Sequence, residues 1–238
     1  MKFGVVSFPG TTGAKQLVNT LKYVLRQDVV QLWHDTAQLD AFSTNDCIIL
    51  PGGFSYADYL RPGALAKLSP IMDLIAHFAK AGGYVFGIGN GFQILCEAGL
   101  LPGVFQANKN GRFLCKNVYL KTMTSNSPIS AAISPDEVIK LPITHQTGCY
   151  YINDTELQLL QQNDQILFKY SSELGAFGDQ FNPNGSVDHI AGICNAERNV
   201  FALMPHPEKA VQAIVHNEDG RFIFESLFRT AKTDVIYQ

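Results

Sequence analysis

The run Tyr84-Val85-Phe86-Gly87-Ile88-Gly89-Asn90-Gly91-Phe92-Gln93-Ile94-Leu95-Cys96 constrains the fold more than any other stretch of the chain. A β-branched and aromatic segment breaks on closely spaced glycines and resumes as an apolar pattern at helical spacing, which predicts strand, sharp turn, helix. Glycines two before and two after a central residue meet the steric demand of a nucleophile elbow. Strand and helix must pass close together while the central side chain stands on a strained turn. Here the central residue is Gly89, so the sequence carries the mounting for a nucleophile without the nucleophile. A dinucleotide fingerprint, Gly-x-Gly-x-x-Gly, fails at its sixth position, Phe92, and about twenty residues beyond it finds Lys109 where an acid belongs. A tight turn with no chemistry fits as well as the elbow does, and spacing alone leaves both open.

Around this stretch, Lys2 to Phe8, Val29 to Trp33 and Asp46 to Leu50 read as strands. Gly13 to Leu25 is expected to be a helix burying Leu17, Leu21, Val24 and Leu25. A second helix is expected from Pro62 to Ala79, with Leu65, Leu68, Met72, Ile75 and Phe78 on one face. Near-continuous apolar strands alternating with helices imply a parallel sheet covered on both faces. The Gly52-Gly53 turn and the elbow then lie at the carboxyl ends of two parallel strands, where open α/β sheets bind ligands. Past Gly103, Phe113 to Leu120, Glu137 to Leu141 and Gln165 to Tyr170 follow as strands without long helices between them, which suggests an added antiparallel section. Ile190 to Asn195 and Asn199 to Met204 form an expected hairpin, and a last helix from Gly220 to about Lys232 buries Phe222, Ile223, Leu227 and Phe228. The expectation is one α/β domain over residues 1–238.

With 46% hydrophobic and 16% charged residues the chain is an ordinary globular one, and a net charge of −3 gives no footprint for nucleic acid or an anionic membrane. No apolar run approaches a membrane span and the first residues do not make a secretory signal, so a cytoplasmic location is expected. Five scattered cysteines, Cys47, Cys96, Cys115, Cys149 and Cys194, include no C-x-x-C pair or zinc spacing. They read as free thiols, and no metal is expected.

Met204-Pro205-His206-Pro207-Glu208 holds a second constraint. Met204 and His206 each precede a proline, which disfavours helical angles and predicts an extended segment. Side chains two apart then project together, so His206 and Glu208 form a candidate base and orienting acid. Taken alone, a histidine after a strand is as readily structural.

Together, Phe8-Pro9-Gly10, Pro51-Gly52-Gly53-Phe54-Ser55-Tyr56, Gly87-Ile88-x-Asn90-Gly91-Phe92-Gln93-Ile94-Leu95, Glu97-Ala98-Gly99-Leu100-Leu101-Pro102-Gly103, Asn182-Pro183-Asn184-Gly185-Ser186 and Met204-Pro205-His206-Pro207-Glu208 resemble the glutaminase subunits of phosphoribosylformylglycinamidine synthases. These form a branch of the class I glutamine amidotransferases, and the resemblance spans nearly the whole chain. It implies a flavodoxin-like α/β fold, a Cys-His-Glu triad, and release of ammonia from L-glutamine for a large ATP-dependent synthetase subunit in purine biosynthesis. It also implies a small accessory subunit as a further partner, and ATP and Mg are expected only on the synthetase, with no cofactor here. The resemblance makes His206 the general base, Glu208 its partner and Gly89 the position of the nucleophile. It puts the oxyanion hole at the amides of Gly53 and Asn90, and makes Gln93, Asn184, Gly185 and Ser186 candidates for holding glutamine.

Three departures stand out. Gly89 replaces the cysteine, Thr11-Thr12-Gly13 replaces a usual Ser-Asn-Cys, and His145-Gln146-Thr147-Gly148 replaces a usual His-Gly-Glu-Gly. Cys96 lies roughly 10 Å further along the helix and cannot substitute for the thiol; the loop of Cys149 cannot be placed from sequence. Two functions remain: a glutaminase subunit by descent, silent as written, that still docks on its synthetase, or a non-catalytic glutamine-binding or regulatory subunit. Lys109, Arg112, Lys116 and Lys121 form a basic run that fits either a docking face or a solvated strand edge.

Overall fold

In the computed structural model of the chain, residues 1–234 are described, with side chains through residue 229. The strands are β1 (Lys2–Ser7), β2 (Asp28–Trp33), β3 (Cys47–Leu50), β4 (Tyr84–Ile88), β5 (Val104–Gln106), β6 (Leu114–Thr122), β7 (Val138–His145), β8 (Cys149–Tyr151), β9 (Ile166–Ser171), β10 (Ile190–Cys194) and β11 (Val200–Leu203). The helices are α1 (Ala14–Asn19), α2 (Pro70–Lys80), α3 (Asn90–Glu97), α4 (Asp154–Gln162) and α5 (Gly220–Asp234). Nine of the strands form one sheet in the order β2-β1-β3-β4-β11-β10-β9-β6-β7, and β5 pairs antiparallel with β8 in a second. Pairings are parallel from β2 through β11 and antiparallel from there to β7. β10 and β11 form the expected hairpin, with Cys194 opposite Phe201.

Two apolar layers cover the sheet. Phe3, Val5, Ile49, Phe86 and Phe201 face α1 and α5, while Val6, Ile48, Leu50, Val85 and Ala202 face α2 and α3. Alternate residues of one strand thus enter opposite cores, which is why the central strands read as continuous apolar runs. β2 departs from that reading: as an edge strand it leaves Val30 and Trp33 exposed.

Several elements differ from the sequence expectation. The first helix keeps its α form only to Asn19 and continues as a π-type turn over Thr20–Val24. The expected helix from Pro62 breaks in two, a 3₁₀ turn at Ala66–Leu68 and then α2, because Pro70 starts a helix as its first residue and cannot continue one. Leu68 falls in the break and is exposed. β7 runs four residues beyond the expected end, through Pro142 to His145. Unexpectedly, α4 fills the antiparallel section; its residues are mostly polar and only Leu160 is fully buried, so periodicity gave no signal. Of the apolar side chains described in α5, Ile223, Phe224 and Leu227 are buried, whereas Phe222 turns outward and Phe228 is half-buried. The basic run is not a uniform edge. β9 pairs with β6 only over Tyr119–Thr122, so Lys116 borders an unpaired stretch, while Lys121 lies inside the sheet and pairs with Asp136 at 2.8 Å.

Candidate active site

β3, β4 and β11 are parallel neighbours, so their carboxyl ends deliver three loops to one place. β4 ends at Ile88, and Gly89 turns the chain into α3 with φ 54° and ψ −110°, angles that only glycine adopts without strain. The flanking glycines explain how strand and helix fit. A Cβ on Gly91 would lie 1.9 Å from the Leu50 carbonyl oxygen, and one on Gly87 would lie 2.6 Å from Leu95 and 2.9 Å from the Gly91 backbone. A Cβ on Gly89, in contrast, would point at an imidazole, 3.0 Å from Cε1 and 3.1 Å from Nε2 of His206.

His206 enters from the end of β11 and is anchored by its N–H donating to the Pro142 carbonyl at 2.8 Å. The extended geometry stops at His206, since Pro207–Lys209 form a 3₁₀ turn. The turn still brings the carboxylate beneath the ring: Nδ1 donates to Glu208 Oε1 at 2.8 Å, with both residues buried. A carboxylate only accepts, so it fixes the Nδ1–H tautomer and leaves the Nε2 lone pair facing position 89. The other carboxylate oxygen, Oε2, is buried without a hydrogen-bond partner.

Between these groups lies a cavity of about 450 Å³ lined by Gly53, Gly89, Asn90, Gln93, His145 and His206 among others. Asn90 is the first residue of α3, where backbone amides and the helix dipole favour negative charge. Its side chain accepts from the Ser55 amide at 3.2 Å and donates to Gln93 Oε1 at 2.9 Å. Gln93 in turn donates to the Thr147 carbonyl at 2.5 Å, joining α3 to the 145–148 loop across the cavity.

The structure separates the remaining candidates from this site. Asn184, Gly185 and Ser186 do not line the cavity. Asn184 is fully buried, donates to the Gly148 carbonyl at 2.7 Å and to the Tyr170 hydroxyl at 3.1 Å, and accepts from Ser186 Oγ at 2.9 Å. Ser186 Oγ also accepts from the Tyr150 amide at 3.1 Å. With their polar atoms already engaged, these residues brace the loop that carries Thr147. Cys149 donates to the Gly185 carbonyl at 3.1 Å, Cys96 to that of Pro102 at 3.5 Å, and burial pushes both thiols up. Neither lines the cavity.

Two cavity residues carry chemistry that sequence reasoning did not single out. His145, at the end of β7, bonds through Nδ1 to Asn108 Oδ1 at 3.0 Å, and its buried Nε2 has no partner. Burial, reinforced by the charge of His206, holds its imidazole down at about 4. Asp58, on the loop after Gly53, is pushed up to about 6 by burial. The only sequence signals were a departing loop motif and a position after a strand end.

These two shifts oppose each other. An unfolded histidine titrates at about 6.5, so as pH falls towards 4 the unfolded chain takes up a proton that folded His145 refuses, and stability is lost. Asp58 protonates earlier in the folded state than in the unfolded one and favours the fold over the lower part of that window. Because it is only half-buried, its effect is the smaller one. Urea denaturation is therefore expected to show a loss of about 1 kcal/mol between pH 7 and pH 5, absent in His145→Gln.

Among the described residues no helix is long and apolar enough to cross a membrane, and no group of three or more His, Cys, Asp or Glu side chains could hold a metal. Residues 2–231 match the family model of the CobB/CobQ-like glutamine amidotransferase domain. The chain is 46% identical over 226 residues to phosphoribosylformylglycinamidine synthase subunit PurQ of Salinibacter ruber, covering 95% of each chain. It is 44% identical to that of Gloeobacter violaceus, covering 97% of this chain and 98% of the relative. Among solved structures, PurLQS from Thermotoga maritima superposes with a TM-score of 0.84 at 37% identity, covering 96% of this chain and 98% of that one. A glutamine amidotransferase from the same organism shares the fold, with a TM-score of 0.57 at 14% identity and coverage of 98% and 92%.

Proposed function

Because the chain belongs to the CobB/CobQ-like glutamine amidotransferase family, we propose that it is the glutamine-binding subunit of a phosphoribosylformylglycinamidine synthase, hydrolytically silent as its sequence stands. One observation carries the reading: the direction a side chain would take at Gly89 leads to His206 Nε2, whose ring is oriented by Glu208. In the cysteine form of this site, a thiolate attacks the glutamine carboxamide carbon. The departing nitrogen takes a proton from the imidazolium and leaves as ammonia. Water, deprotonated by the same imidazole, then cleaves the thioester to glutamate and restores the thiol. Amides at Gly53 and Asn90 are suited to the oxyanion of both tetrahedral intermediates. With glycine at 89 the first bond cannot form.

What persists is a site that holds glutamine, with Gln93 in its lining, and a body that docks on a large ATP-dependent synthetase in purine biosynthesis. The subunit uses no cofactor of its own; ATP and magnesium act on the synthetase. Calorimetry of the complex with L-glutamine tests this reading. Binding without ammonia release is expected, and the absence of binding reduces the chain to a structural partner.

A further inference from the structure

The cavity beside Gly89 holds a charge that no cation among the described residues balances. Asp58 is the only carboxylate among the lining residues, and Arg61 the only lining side chain with a fixed positive charge. Arg61 is already engaged: its Nε and Nη2 donate to the two oxygens of Glu97 at 2.6 and 2.7 Å. No ion pair among the described residues includes Asp58. Its one polar contact is a long one, 3.4 Å from Asn90 Nδ2 to Oδ1. A carboxylate drawn out of water without a cation is unfavourable, which is also why burial pushes its carboxyl up to about 6.

The backbone aims it there at some expense. Tyr56, Ala57 and Asp58 take φ of 52°, 56° and 52°, three consecutive left-handed residues in a loop without glycine at those positions. Asn90 ties this loop to the elbow, being the residue after Gly89 and the partner of Asp58. A ligand whose carboxamide faces Gly89 and His206 thus has an uncompensated anion near its other end. In glutamine, the amide carbon and the ammonium nitrogen are four bonds apart.

We propose that Asp58 receives the α-ammonium group of glutamine, so that the site selects an α-amino acid rather than any primary carboxamide. The assignment rests on the glutamine-binding reading above and gives that cavity an oriented substrate.

The test compares L-glutamine with its des-amino analogue, 4-carbamoylbutanoate, by calorimetry on the complex with the synthetase subunit. Asp58→Asn is expected to weaken glutamine by about ten- to a hundredfold while leaving the analogue within about twofold, as for loss of one charged hydrogen bond. Asp58→Glu, which keeps the charge, should preserve the preference for glutamine even if its loop shifts, and this separates recognition from misfolding. Equal losses for both ligands in Asp58→Asn, or an unchanged preference, overturn the assignment. If the parent binds neither ligand, the glutamine-binding reading falls and takes this one with it. If the parent binds glutamine and the preference survives Asp58→Asn, only this one falls.

Discussion

Gly89→Cys, assembled with the synthetase subunit, is expected to release ammonia from glutamine at a rate on the order of 10⁴-fold or more above the parent chain. Loss of the nucleophile from a triad costs about as much as loss of all its members, so restoring it to an otherwise complete site should recover most of the acceleration. The geometry supports that expectation. The new Cβ would meet His206 at 3.0 to 3.1 Å, a tight contact that a shift of a few tenths of an ångström in the ring relieves. The same substitution should cost the fold about 1 to 3 kcal/mol, since position 89 sits at φ 54° and a side chain is strained there. Equilibrium denaturation should therefore show the more active protein to be the less stable one. A Gly89→Cys protein that gains stability contradicts the strain argument, and one that binds glutamine but releases no ammonia contradicts the preserved site.

In the Gly89→Cys background, His206→Ala should return ammonia release nearly to the level of the parent chain, and Glu208→Gln should lower it by roughly 10³ to 10⁴. The second change is the more informative. Glu208 accepts from Nδ1 and keeps the Nε2 lone pair directed at position 89. A glutamine amide that donates to Nδ1 would move the proton to Nε2, leaving the ring in place but no longer a base for the thiol. Burial favours this exchange, because a group as enclosed as Glu208 has few other partners. In the parent chain, which lacks a nucleophile, Glu208→Gln should leave glutamine affinity within about threefold. A steady-state ammonia assay in the Gly89→Cys background, set beside calorimetry with glutamine in the parent, separates a catalytic effect from a structural one. Equal loss of binding in the parent would assign Glu208 to holding the fold instead.

The elbow was legible because its requirement is steric and local. Gly91 must lack a side chain for α3 to pass the end of β3, and Gly87 for β4 to lie against α3, and that demand appears as glycine at fixed spacing. The hairpin of β10 and β11 and the parallel core were legible for a similar reason: buried strands must be apolar throughout. His206 and Glu208 do lie together, although a 3₁₀ turn rather than extended chain joins the two. Where the reading failed, the deciding physics was tertiary or easily mistaken. Asn184 and Ser186, which the family resemblance makes candidates for holding glutamine, have polar atoms engaged with Gly148 and Tyr150, and that engagement is tertiary. α4 carried an Asn153 cap, which accepts from the Glu156 amide at 2.9 Å, but too few apolar residues to show a period. Pro70 starts α2, yet the apolar spacing from Leu65 to Phe78 runs across it and hides the break. Asp58 and His145 depend on which loops meet over the sheet, and no local pattern encodes that.

The central claim is spatial: position 89 faces the imidazole that Glu208 orients. The rate of alkylation of the thiol introduced by Gly89→Cys, followed against pH and located by peptide mass, tests it without the synthetase. An apparent thiol pKa below about 7.5, returning to about 8.5 when His206→Ala is added, is the predicted result. A thiol that titrates near 8.5 in both proteins would contradict it.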